Sequence, residues 1–185
     1  MKKIVIFLFL IVLSWNAHAQ QVGYKGFIEA HYSFGVGEYA TNQLVVTTSH
    51  GVKLLDSYLF LGGGIGFGIS TEIDDLKVFN LPLFADLRYA FSNGKVKPFV
   101  ASKIGFAYLF DENHDGGHYN DGGFFVFPSI GAAFTVFKHS ELTVSLGYAY
   151  HSATVEWWND PPGSPSHVRK GYNAGGILIS VGLSF

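Results

Sequence analysis

Cysteine is absent from all 185 residues, so no disulfide staples the chain and no lipid can be attached to a cysteine at a processed N-terminus. Stability has to come from hydrogen bonding and packing alone. Charge is scarce too: charged residues make up 14%, and 12 Lys and Arg stand against 14 Asp and Glu, a formal net charge of −2. A soluble domain normally carries more surface charge. With no basic excess, nucleic acid is not expected as a partner. Also missing is an apolar run long enough to cross a bilayer as a helix. The stretch from Ile4 to Leu13 is short of the roughly 20 residues that such a helix needs.

That apolar stretch follows Met1-Lys2-Lys3 and precedes Ala17-His18-Ala19. A basic start, a short apolar core and an A-x-A end are the marks of a secretory signal peptide. The expected organisation is a signal peptide over 1–19, cleaved after Ala19, and one exported domain over 20–185. Such a domain is too short for a wide pore and suits a barrel of about eight strands.

What the chain does hold is glycine (23 residues) and aromatic side chains (17%), at a mean hydropathy of only +0.24. An apolar outer face averaged with a polar inner one would give this balance. The C-terminal stretch shows the pattern directly. Ile177, Ile179, Val181, Leu183 and Phe185 fall on one face, and Gly176, Ser180, Gly182 and Ser184 on the other, because strand side chains alternate with period 2.

Eight segments alternate in this way, at 24–37, 44–55, 58–71, 78–91, 96–110, 124–137, 141–157 and 170–185, the second least clearly. Their connections alternate in length. Asp56-Ser57, Ser92-Asn93-Gly94-Lys95 and Lys138-His139-Ser140 read as tight turns, the Asn-Gly pair being a strong hairpin signal. Longer links are expected at 38–43, 72–77, 111–123 and 158–169. Short turns on one rim and longer loops on the other is how outer-membrane barrels are built. The predicted fold is therefore all-β: an eight-stranded antiparallel up-and-down transmembrane β-barrel with short periplasmic turns and longer extracellular loops.

Assigning phases separates two surfaces. Ile28, Tyr32, Phe34, Leu61, Ile65, Phe67, Leu81, Leu83, Leu87, Tyr89, Val100, Ile104, Phe106, Val126, Ile130, Phe134, Val144, Leu146, Tyr148 and Tyr150 are expected to face outward as a lipid belt. Tyr24, Tyr89, Phe91, Phe110, Phe124, Tyr150 and Trp157 near strand ends suit interfacial girdles. Lys25, Glu29, His31, Lys53, Asp86, Arg88, Lys97, Lys103, Glu141 and His151 take the opposite phase. Charges in a strand pattern would break a soluble core, but in a barrel they need only point into the lumen. If the Ser92–Lys95 turn sets the register, Asp86 sits opposite Ala101 and diagonal to Lys103. Glu29, Asp86, Arg88 and Lys103 are expected to form an ionic cluster at mid-depth, plugging a lumen that eight strands leave only wide enough for side chains. An ion pathway is the alternative.

The run Gly62-Gly63-Gly64-Ile65-Gly66-Phe67-Gly68 is not a nucleotide loop, since no Lys-Ser or Lys-Thr pair follows and the spacing is not G-x-G-x-x-G. Gly62, Gly64, Gly66 and Gly68 share the inner face and are expected to leave room for Phe125, Phe127 or Arg88.

With these features in place, the chain resembles the small outer-membrane β-barrel superfamily of OmpA and OmpX type. Leu81-Pro82-Leu83-Phe84-Ala85-Asp86-Leu87-Arg88-Tyr89 followed by Lys97-Pro98-Phe99-Val100 is similar to a strand pair recurring in outer membrane protein beta-barrel domain families. The resemblance implies residence in the bacterial outer membrane, contact with its lipid and lipopolysaccharide, and insertion by the barrel-assembly machinery with Phe185 as the insertion signal. It implies no catalytic site, no metal and no cofactor.

Three functional readings follow. The first is a non-enzymatic barrel that supports the envelope or meets an extracellular partner, adhesin-like, through its loops. Candidate contacts are Asp111, His114 and His118 in one loop, and Trp157, Trp158, Arg169 and Lys170 in another. The first loop could hold a cation through carboxylates or His114 and His118, but its spacing matches neither an EF-hand nor a defined zinc site, and a solvated acidic loop is the expectation. The second reading is a lipid A deacylase or acyltransferase, which needs a nucleophile, a base and an orienting acid. Neither Ser49-His50 nor His151-Ser152 can supply a neighbouring pair, because adjacent strand residues face opposite ways. The third is a narrow pore or ligand conduit, for which lumenal cations would favour anions.

Overall fold

A computed structural model describes residues 23–37, 42–55, 58–73, 76–111, 121–137, 140–159 and 166–185. The proposed signal peptide lies outside them. Alternating apolar and small or polar residues make eight strands: β1 (Gly23–Val36), β2 (Asn42–Leu54), β3 (Leu59–Ile73), β4 (Leu76–Ala90), β5 (Val96–Asp111), β6 (Asp121–Phe137), β7 (Ser140–Asn159) and β8 (Ser166–Ser184). Each pairs antiparallel with its neighbour in sequence, and β8 returns to β1 to close the barrel. Closure leaves no sheet edge unpaired, the condition for a β-structure in hydrocarbon. At the seam, Gly26 and Phe185 exchange both backbone hydrogen bonds, at 2.9 and 3.0 Å.

The two faces separate as the alternation requires. Outward, Ile28, Leu61, Ile65, Leu83, Leu87, Ile104, Ile130, Leu146, Ile179 and Leu183 are exposed, several by more than half. An apolar surface this extensive is not sustained in water, and it matches a lipid belt. Inward, Phe27, Phe60, Phe84, Phe99, Phe125, Phe127 and Leu178 are buried with Glu29, His31, Asp86, Arg88 and Lys103. β2 is as two-faced as the rest, with Val45, Thr47 and Ser49 inside and Leu44 and Val46 outside.

Four details depart from the sequence reading. Asp86 stands directly opposite Lys103, with Arg88 opposite Ala101. The β4–β5 ladder ends at a bond from Phe91 N–H to the Pro98 carbonyl, 2.8 Å, so the turn is two residues longer than the Asn-Gly signal suggested. The link expected at 72–77 shrinks to 74–75, since Ile73 already faces Leu76 after a register shift beyond Ser70. The segment 158–169 is largely ladder, not loop: Trp158 pairs with His167 and Asn159 with Ser166. The side chains received by the β3 glycines are also different. A Cβ on Gly64 would lie 2.4 Å from Phe84 Cζ, and one on Gly68 would lie 2.3 Å from Asn80 Oδ1, so the nearest side chains come from the paired strand β4 and are Phe84 and Asn80 where Arg88, Phe125 or Phe127 were expected.

The barrel is not level at its loop rim. β1 ends at Val36 opposite Gly175, whereas β8 runs back to Ser166 against β7. The β7–β8 hairpin therefore stands beyond the rest as a two-stranded ribbon.

Candidate functional site in the lumen

Period-2 alternation places Glu29 on β1, Asp86 and Arg88 on β4 and Lys103 on β5 on the inner face, and closure brings the three strands within reach across the lumen. Arg88 is the centre. Its Nη1 and Nη2 donate to Glu29 Oε1 and Oε2 at 2.9 and 2.5 Å, a bidentate fork. The same guanidinium donates from Nε to Asp86 Oδ1 at 3.0 Å and from Nη2 to Asp86 Oδ2 at 2.7 Å. Lys103 Nζ donates to Glu29 Oε2 at 2.6 Å and lies 3.4 Å from Asp86 Oδ2. Ser49 Oγ completes Asp86 with a bond of 2.7 Å.

All four predicted cluster residues thus converge, two cations on two carboxylates, and all are at least 95% buried. Charge in so dry a place is tolerable only when paired and fully hydrogen-bonded. Planarity and fixed donors suit Arg to holding two carboxylates at once. The ring of Phe27 lies 3.8 Å from the Arg88 guanidinium carbon and covers it from below.

Beside the cluster lies an arrangement that pattern reading missed. His31 places Nδ1 2.7 Å from Ser180 Oγ and Nε2 2.9 Å from Thr47 Oγ1, so both ring nitrogens are satisfied by hydroxyls. The signal was present in the seam, where His31 stands directly opposite Ser180, but no one strand reveals it. A cavity of about 10 Å³ between His31, Ser180, Glu29, Arg88 and Lys103 holds at most about one water.

Towards the loop rim the lumen turns apolar, filled by Phe84, Ala107, Phe125, Phe127, Ala149 and Leu178. His151 is set against the Phe127 ring at 5.0 Å between centroids, and its buried Nε2 has no hydrogen-bond partner among the described residues. Towards the turn rim, Glu141 accepts from Lys97 Nζ at 2.6 Å and from Lys25 Nζ. These residues, with Lys53, Phe27, Phe60 and Phe99, line a second cavity of about 60 Å³.

Two predicted Ser-His neighbours are separated by the strand pleat. Ser49 faces inward to Asp86, while His50 is exposed on the outer surface 2.6 Å from the Tyr24 hydroxyl. No group of three or more His, Cys, Asp or Glu among the described residues could hold a metal ion. His114 and His118 lie outside the described residues, as do the side chains of Asp111, Trp157, Trp158, Arg169 and Lys170. The backbone does place Trp157, Trp158, Arg169 and Lys170 in the projecting hairpin, with Trp157 opposite Val168 and Lys170 opposite Val155. Phe185 lays its ring over Gly26, where a Cβ would come within 2.6 Å of it.

No protein-family model and no curated protein matches this sequence. Among solved structures, Neisserial surface protein A superposes with a TM-score of 0.62 at 11% identity, over 89% of this chain and 98% of the other. The outer membrane protein AlkL, solved in lipid bilayers, superposes with a TM-score of 0.52 at 14% identity, over 92% and 94%. Both likenesses run the length of the barrel. The closed eight-stranded antiparallel sheet, apolar outside and polar within, is the fold of the small OmpA- and OmpX-type outer-membrane barrels.

Proposed function

We propose that this chain is a non-enzymatic barrel of the bacterial outer membrane, closed by its own side chains, which serves the envelope through the surface it presents. The observation that carries this reading is the cluster of Glu29, Asp86, Arg88 and Lys103. Its charges cancel, its donors and acceptors are committed to one another, and the spaces beside it are of the order of one to a few water molecules. A permeating ion would have to break a buried pair, which costs several kcal/mol.

Outer-membrane residence is supported by the exposed apolar belt and by the likeness to proteins known from that membrane. A role at the cell surface is supported by the β7–β8 ribbon and the long 112–120 connection on the same rim. The ribbon carries Trp157, Trp158, Arg169 and Lys170, aromatic and basic groups suited to lipopolysaccharide phosphates or to an extracellular partner. Insertion by the barrel-assembly machinery, with Phe185 as its signal, belongs to the same reading.

Planar-bilayer recording of the purified barrel tests the closed lumen. Background current alone is the expected result. Steady ohmic conductance from single insertions would overturn the plug and favour a narrow pore. Mass spectrometry of lipid A incubated with the protein tests the absence of catalysis, with an unchanged acyl pattern expected.

A further inference from the structure

The vestibule at the turn rim holds three lysines and one carboxylate. Lys25 and Lys97 share Glu141. Lys53 lines the same cavity, lies within electrostatic reach of Lys25, and has no carboxylate partner among the described residues. Arg88 at the roof contributes no free charge, because Glu29 and Asp86 already neutralise it. The described side chains therefore leave the vestibule two positive charges in excess, and Lys25 is repelled by both Lys53 and Lys97.

Like-charged ammonium groups held together by aromatic walls are costly unless a counter-charge joins them. The walls here are Phe27, Phe60 and Phe99, all buried, and they lower the local dielectric. The cavity, about 60 Å³, is several times the ~10–15 Å³ that one water needs. An ammonium has three N–H donors, and Glu141 takes a single contact from each of Lys25 and Lys97. Among the described residues, each of the three lysines lining the space has more N–H donors than the contacts to Glu141 use.

We propose that this vestibule is a binding site for a small phosphate-type oxyanion entering from the turn rim. A dianion would cancel the excess charge, and several oxygens around one centre would meet lysines arriving from β1, β2 and β5. Chloride cancels one charge and spans fewer donors. The lining residues belong to the inner face, so lipid outside the barrel is not the source of the anion. The site stands whether or not the lumen above it conducts.

The test is calorimetric titration of the folded barrel in uncharged detergent with inorganic phosphate, at constant ionic strength held by chloride. The parent should show saturable, one-to-one binding. Lys53→Gln should weaken it at least tenfold, since Lys53 makes no side-chain hydrogen bond or ion pair among the described residues. Lys95→Gln, which removes the same charge from the exposed turn outside the cavity, should change it less than twofold. Heat-modifiable gel mobility would verify that each variant is folded. Absence of saturable binding by the parent, or equal weakening by Lys53→Gln and Lys95→Gln, would overturn the site.

Discussion

Replacing Arg88 by methionine removes the group that, among the described residues, hydrogen-bonds both carboxylates of the cluster, Glu29 and Asp86. Arg88 is 5% exposed, and its guanidinium forks onto Glu29 while donating to Asp86. Methionine fills most of the same volume without charge, so packing loss is small and electrostatics dominate. Glu29 and Asp86 would then share Lys103 alone, leaving the cluster one negative charge in excess in a dry lumen. Removing one partner of a buried ion pair costs about 3–5 kcal/mol, and that is the expected loss of unfolding free energy. The design includes its own control. Adding Glu29→Gln to Arg88→Met restores neutrality through Asp86 and Lys103, which are 3.4 Å apart, and should recover about 2 kcal/mol. Urea unfolding of the barrel in lipid vesicles, followed by gel mobility and tryptophan emission, would measure all four corners of the cycle. A loss below about 1 kcal/mol for Arg88→Met, or strict additivity of the two substitutions, would refute the claim that these four side chains act as one electrostatic unit.

Other consequences are independent of that cycle. Gly64→Val places a side chain where the Phe84 ring already lies, 2.4 Å from the position a Cβ would take, and should lower unfolding free energy by ~1–3 kcal/mol through overpacking, read from the same urea curves. Phe185→Ala keeps the backbone bonds to Gly26 but uncovers it; with Phe185 about half exposed, the expected loss is about 1 kcal/mol, and an unchanged midpoint would show that the ring contributes nothing to the seam. Proteinase K added to intact cells should nick within 112–120; complete protection there would reverse the orientation of the barrel.

The cluster members could be found in the sequence because each breaks an otherwise small or apolar inner face: Glu29 between Phe27 and His31, and Asp86 and Arg88 after Phe84. Their pairing could not. The β4–β5 register slipped by two residues because the Asn-Gly signal marks where a chain turns and not how far up the ladder begins. A shift of two leaves every side chain on its proper face, so alternation is blind to it. The same blindness hid the partnership of His31 with Ser180, 149 residues apart. The glycines of β3 were read correctly as space, but the tenants, Phe84 and Asn80, follow from which strand lies next door.

By itself, then, the order of residues determined the strands, their two faces and the sorting of charge to the inside, because side-chain direction in a strand depends only on parity along the chain. Only the closed tertiary structure decided that Arg88 reaches Glu29 across 59 residues, that Lys103 joins them across 74, and that Lys53 meets Lys25 and Lys97 in one vestibule. Those meetings depend on register and closure around the barrel, which a period of two leaves undetermined.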